Sequence, residues 1–117
     1  MDEGEFLFFR GSTPTLELVL PLAVAPSDIV YVTLAQGGRP VVEYAMNGSP
    51  WPIGTGQLIR DEAEDNLLLL TMSQADTLAL DAGDVELQLR IKNSVGADTF
   101  RPLTGRVGPA RKEDVIQ

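Results

Sequence analysis

The sequence predicts an all-β protein built as a sandwich or a barrel. Two observations lead to this fold class: apolar and polar residues alternate with period two along much of the chain, and short apolar stretches are separated by frequent glycine and proline turn signals. With 117 residues, 44% of them hydrophobic and 22% charged, the chain has the size and balance of one globular domain, which we place at residues 1–117.

Two strands are predicted near the N-terminus. Residues 6–10 contain three of the four phenylalanines, which would seat the first strand in the core or, alternatively, clamp a neighbouring subunit. Leu16, Leu18 and Leu20 occupy alternate positions of the second strand. Pro21 has no backbone N–H to donate to a ladder, so it marks the end of that strand or a sheet edge.

The next two strands are predicted to form a hairpin. β-Branched and aromatic residues are frequent from 29 to 36 and both faces are mostly apolar, which is typical of a central strand. Gly37 and Gly38 can adopt the positive φ angles of a tight turn, and residues 41–46 supply the returning strand.

Three further strands are predicted at 67–72, 85–92 and 98–107, and the middle one shows the clearest alternation of the chain. Ser73, followed by an acid three residues later and by no alternation, predicts one short helical turn near 73–80. Residues 108–117 are polar and contain proline, so we expect a flexible tail or an arm that becomes ordered on a partner.

Several classes of function are excluded by residues that the chain lacks. It has no cysteine and no histidine, which removes disulfides, thiolate nucleophiles, Ser-His-Asp triads and most transition-metal sites. No apolar run is long enough to span a bilayer and no signal peptide is evident, so we expect a cytoplasmic chain or one whose signal was trimmed. The net charge of −8 disfavours nucleic acid and anionic membranes as partners. We therefore expect no enzyme and no cofactor.

The charge is unevenly distributed along the chain. Residues 1–89 contain 14 of the 17 acidic side chains, whereas residues 90–117 contain six of the nine basic ones. This asymmetry favours either ordinary solvated strand faces or head-to-tail docking between copies of the chain. For docking, the candidate basic residues are Arg101, Arg106, Arg111 and Lys112.

Residues 61–66 place four carboxylates in a stretch of six residues. Hard cations such as Ca²⁺ prefer several oxygen ligands of this kind, but Ala63 interrupts the ligand spacing and the central glycine of a calcium loop is missing. A glycosidase would need two acids facing each other across a sugar cleft, which one loop does not provide. We expect an exposed acidic loop.

Residues 47–57 form the longest stretch without a strand signal and contain the single tryptophan, Trp51, between two prolines. Long loops on a β scaffold often bind ligands. An exposed Trp51, together with Tyr44, could stack on a sugar ring or anchor a protein interface. Alternatively, Trp51 folds back and caps the open end of the sandwich.

Two stretches of the sequence resemble a known group of proteins. The run Phe-Phe-Arg-Gly-Ser-Thr-Pro-Thr at 8–15 and the run Leu-Ala-Leu-Asp-Ala-Gly-Asp-Val-Glu-Leu-Gln-Leu-Arg at 78–90 are similar to segments of small structural proteins of tailed phages and prophages. These are immunoglobulin-like β-sandwiches encoded among tail and baseplate genes. The resemblance implies a structural virion component that works in many copies, built as an immunoglobulin-like antiparallel sandwich, and it supplies no catalytic or binding residues.

These observations lead to one expected function and one alternative. The first is a non-enzymatic assembly subunit, located in a virion as a tail, baseplate or capsid-associated component, with other virion proteins or its own copies as partners. The second is a carbohydrate-binding or adhesion module that uses Trp51 and Tyr44, with a glycan as partner.

Overall fold

The computed structural model describes residues 6–93, 96–100 and 102–109, and in these ranges it contains nine strands and one short helix. In chain order the elements are β1 (Leu7–Phe9), β2 (Thr15–Val19), β3 (Ile29–Gln36), β4 (Arg39–Met46), β5 (Gln57–Arg60), β6 (Leu67–Thr71), α1 (Gln74–Ala79), β7 (Gly83–Lys92), β8 (Ala97–Thr99) and β9 (Leu103–Gly108).

The strands form two sheets that pack face to face. The larger sheet has the order β1, β9, β7, β3, β4, with β8 also paired to β7, and the smaller sheet has the order β2, β6, β5. All pairs are antiparallel except β1 with β9. The predicted β-sandwich is therefore confirmed, with one parallel pair at the edge of the larger sheet.

The structure contains more strands than the seven predicted. The segment 98–107 is divided into β8, which ends at Thr99, and β9, which begins at Leu103 directly after Pro102, a residue with no N–H to donate to a ladder. β5 was not predicted, since its four residues have a single buried side chain, Leu58, and give no clear alternation.

The core lies between the sheets and is built by alternate residues of the strands. In β7 the side chains of Val85, Leu87, Leu89 and Ile91 are all buried, as the alternation predicts. The hairpin between β3 and β4 is also confirmed, with φ angles of 59° at Gly37 and 78° at Gly38. In the first strand, Phe8 belongs to the core.

The helical turn predicted near 73–80 is confirmed as α1. The Ser73 hydroxyl caps it by accepting a hydrogen bond of 3.1 Å from the Asp76 N–H. The helix carries the chain from β6 in the smaller sheet to β7 in the larger one. In the part of the chain that the structure describes, no helix is long and apolar enough to cross a membrane.

Candidate interaction site

The residues between β4 and β5, 47–56, are called here the Trp51 loop. Trp51 is 79% exposed and Ile53 is 65% exposed, whereas a Cβ added at Gly54 would lie 2.5 Å from the Tyr44 ring. Successive residues thus alternate between solvent and the body of the protein. The expectation that Trp51 caps the open end of the sandwich is wrong.

The direction of Trp51 is set by a short ladder between the loop and β4. The Glu43 N–H donates to the Pro52 carbonyl at 2.7 Å, and the Gly54 N–H donates to the Glu43 carbonyl at 3.0 Å. A bridge between Glu43 and Ile53 runs parallel to β4. Because side chains alternate along an extended segment, Trp51 and Ile53 project to the same outer side.

The carboxylate of Glu43 fixes the backbone of Trp51. It is nearly buried, and its Oε1 accepts a hydrogen bond of 2.9 Å from the Trp51 N–H. Its Oε2 accepts one of 2.6 Å from the Thr33 hydroxyl and one of 3.1 Å from Arg90. The Arg90 guanidinium lies 4.9 Å from the centre of the Tyr31 ring. Three strands, β3, β4 and β7, therefore position the base of the loop.

A second buried carboxylate, Asp76 of α1, fixes the other end of the loop. Its Oδ2 accepts hydrogen bonds of 3.0 Å from the Thr55 N–H, 2.9 Å from the Gly56 N–H and 2.6 Å from the Tyr44 hydroxyl. Burial alone would raise the pKa of Asp76, but these hydrogen bonds favour the charged form and together lower the pKa below its ordinary value. Asp76 therefore binds the loop as a carboxylate.

Tyr44 is part of this anchor and is not a surface contact. Only 2% of the residue is exposed, so its ring is not available to stack on a ligand, contrary to our expectation. Its position on β4 directs the side chain inward, towards α1. Burial, together with the neighbouring Asp76, raises the pKa of the Tyr44 phenol far above its usual range, so the hydroxyl remains a donor.

Asn47 begins the loop with a left-handed backbone. Its φ is 62°, a conformation that asparagine tolerates better than most residues. Its side-chain amide donates to the carbonyls of Pro26 at 2.7 Å and Asp28 at 2.8 Å. The loop is thus held at its start, its middle and its end, and only the side chains at its outer side are free to meet a partner.

Of the four predicted basic residues, the structure describes Arg106 alone, and it is not brought to this loop. Arg106 lies on β9, close to Asp84 at 3.7 Å, with more than half of its side chain exposed. Two strands, β7 and β3, separate β9 from β4, so Arg106 and the Trp51 loop lie towards opposite edges of the larger sheet. Arg101, Arg111 and Lys112 lie outside the described residues.

The acidic loop, residues 61–66, is exposed from Glu62 to Asp65. The Asp61 carboxylate accepts hydrogen bonds of 2.9 Å from the N–H groups of Ala63 and Glu64, within the same turn. Among the described residues, no three acidic side chains converge in a way that could hold a metal ion. The geometry gives Asp61 a local role in the turn.

The two anchoring carboxylates were missed by sequence analysis, although each left a signal. Glu43 interrupts the apolar run of β4, where an acid at a buried position requires partners. Asp76 occupies the position of a capping-box acid, but its side chain reaches another loop instead of the start of its own helix. Chemically, the site offers an apolar contact surface on a pre-organised backbone.

No protein-family model and no curated protein sequence matches this chain. Among solved structures, its fold is similar to that in the crystal structure of CopC from Methylosinus trichosporium OB3b, with a TM-score of 0.57 and 15% sequence identity. The match covers 93% of this chain and 88% of that one. At such low identity the likeness shows the β-sandwich fold alone.

Proposed function

We propose that this chain is a non-enzymatic assembly subunit that binds another protein through the Trp51 loop. The observation that carries the proposal is the 79% exposure of Trp51 on a backbone held by Glu43 and Asp76. A large exposed aromatic side chain on a fixed backbone loses little conformational freedom on binding. Tryptophan is also among the residues that contribute most to protein interfaces.

We also propose the setting in which this subunit acts: a phage or prophage virion, as a tail, baseplate or capsid-associated component. The sequence resemblance at 8–15 and 78–90 supports this setting. The exposed Arg106 on an otherwise acidic chain is compatible with docking between copies. In this proposal the Trp51 loop contacts a neighbouring virion protein or a further copy of the chain.

Purified particles from an induced host provide the test. We expect the chain in the particles, and we expect Trp51→Ala to reduce its incorporation by about tenfold, the loss typical of a contact residue at the centre of an interface. Leu7→Ala is the matched control, because Leu7 is a similarly exposed apolar residue, at 61%, on β1 and outside the Trp51 loop. Both variants should keep the thermal stability of the unmodified protein, since neither side chain is buried.

The same variants separate the two parts of the proposal. If the chain is absent from purified particles, the virion setting is overturned. If Trp51→Ala and Leu7→Ala are incorporated equally well, the Trp51 loop is not the contact surface.

Carbohydrate binding is the second candidate, because an exposed indole face can stack on a sugar ring as well as on a protein. A glycan array with the unmodified protein and with Trp51→Ala distinguishes the two candidates. Glycan binding that disappears in Trp51→Ala would replace the assembly proposal, and no binding above background would remove this candidate.

A further inference from the structure

The outer edge of β2 carries backbone groups that pair with no other described strand. β2 pairs only with β6, so its second edge is open. The Leu20 N–H donates to the Asn66 carbonyl and the Met72 N–H donates to the Pro14 carbonyl. The even-numbered residues of this segment therefore direct their backbone N–H and C=O groups towards β6. In an antiparallel pair every second residue turns its N–H and C=O away from the partner. In β2 these residues include Glu17 and Val19.

An apolar cleft of about 450 Å³ lies beside this open edge, between the two sheets. Its walls are formed from both sheets and from the segment that joins β8 to β9, by Leu18, Leu20, Leu87, Leu89, Phe100 and Leu103. This volume lies within the range of clefts that bind ligands. The side chains of an added strand would therefore find an apolar space directly under the edge.

The charge around the cleft is acidic. Glu17 lines it, and among the described residues no basic side chain does. The acidic loop lies at the end of β2, because the Leu20 N–H donates to the backbone carbonyl of Asn66 at 2.8 Å and the Val24 N–H donates to the backbone carbonyl of Asp65 at 2.7 Å. The exposed Glu62, Glu64 and Asp65 therefore extend the negative surface beyond the cleft.

We propose that the cleft and the open edge of β2 bind an extended, basic segment of another protein as an added strand. The backbone of that segment pairs with Glu17 and Val19, its alternate apolar side chains enter the cleft, and a lysine or arginine faces Glu17 and the acidic loop. Strand addition of this kind combines backbone hydrogen bonds with pockets for every second side chain. This site is separate from the Trp51 loop, and the proposal does not depend on it.

A second copy of β2 fits the edge less well than a basic segment. An antiparallel pair centred on Glu17 would place two glutamates directly opposite each other, and like charges in that position destabilise a pair. Pairing two copies would also bring two acidic loops to the same interface. The charge complementarity of the site therefore selects a cationic partner.

A synthetic eight-residue peptide that alternates valine and threonine, with lysine at both ends, tests the proposal by isothermal titration calorimetry. Two forms with identical side chains are compared, one N-methylated at the valines and the other at the threonines. Because alternate N–H groups face opposite edges of a strand, one form should bind like the parent and the other should lose binding. Equal affinities of the two forms, or no binding of the parent at millimolar concentration, overturn the proposal.

Protein variants test the charge and the edge separately. Glu17→Lys should weaken binding of the lysine peptide and restore affinity for the same peptide with terminal glutamates. Glu86→Lys is the matched control, because Glu86 is an exposed acid on β7 and does not line the cleft. Val19→Pro should weaken binding about fivefold, since it removes one outward N–H and leaves the pairing with β6 in place.

Thermal unfolding of each variant verifies that the fold is kept. If Glu17→Lys and Glu86→Lys change the affinity equally, the cleft does not select by local charge and the proposal fails. If analytical ultracentrifugation shows self-association that Val19→Pro abolishes, the occupant is a second copy and the basic partner is overturned.

Discussion

The Trp51 loop and the acidic loop both rely on carboxylates, but they use them in different ways. Asp76 and Glu43 are buried, lie on elements outside the Trp51 loop, and bind backbone N–H groups of that loop that are 20 and eight residues away along the chain. Asp61 lies within its own loop and binds N–H groups two and three residues away. A buried carboxylate that bonds a segment outside its own element fixes that segment relative to the fold, whereas a carboxylate that bonds within its own loop shapes only a turn.

Removal of the Asp76 side chain should lower the free energy of unfolding more than any other substitution in these two loops or their anchors. Asp76→Ala leaves the buried Tyr44 hydroxyl and the partly buried N–H groups of Thr55 and Gly56 without their acceptor. We expect a loss of about 3 kcal/mol in the free energy of unfolding, measured by urea denaturation.

Asp76→Asn is the matched control for that substitution. It keeps one acceptor oxygen and the volume of the side chain, so it should cost about half as much as Asp76→Ala. If Asp76→Ala unfolds at the same urea concentration as the unmodified protein, Asp76 is not the anchor described above.

Lowering the pH should reversibly weaken the contribution of Asp76 to the stability of the fold. The hydrogen bonds from Thr55, Gly56 and Tyr44 lower the pKa of Asp76 in the folded protein below that of the unfolded chain, which is about 3.9. Its contribution to stability is therefore complete above the unfolded pKa and is lost as the pH falls through the lower folded pKa.

Urea midpoints measured between about pH 2 and pH 6 should fall more steeply for the unmodified protein than for Asp76→Asn, which has no carboxyl to titrate at this position. Because all other carboxylates are shared, the difference between the two curves reports Asp76. Parallel curves would contradict this prediction.

A smaller effect is expected at Glu43. Glu43→Gln keeps an acceptor for the Trp51 N–H but removes the charge that faces Arg90, whose side chain is about half exposed. We expect a loss of about 1–2 kcal/mol and faster hydrogen exchange at the Trp51 amide. In a double-mutant cycle with Arg90→Met, the two losses should not be additive, because both variants remove the same pair. Additive losses would show that Arg90 and Glu43 do not act together.

Local patterns predicted most of the strands, the hairpin and the capped helix, because each depends on residues close in sequence. The alternation from Val85 to Ile91 and the positive φ angles of Gly37 and Gly38 are of this kind. The inward position of Tyr44 and the outward position of Trp51 were not predicted. Both depend on bonds between segments that the sequence separates, such as the bond from Tyr44 to Asp76, 32 residues away.

The smallest effect is expected at Asp61. Asp61→Ala removes the acceptor of two N–H groups, those of Ala63 and Glu64, but both lie in an exposed turn where water can replace it. We expect a loss of at most about 1 kcal/mol. The substitution also removes one negative charge from a chain with a net charge of −8, which offsets part of this loss.

Asp61→Asn, which removes the charge but keeps an acceptor, should therefore be at least as stable as the unmodified protein. If Asp61→Ala costs as much as Asp76→Ala in the same urea experiment, burial and distance along the chain do not decide how strongly a carboxylate stabilises a loop.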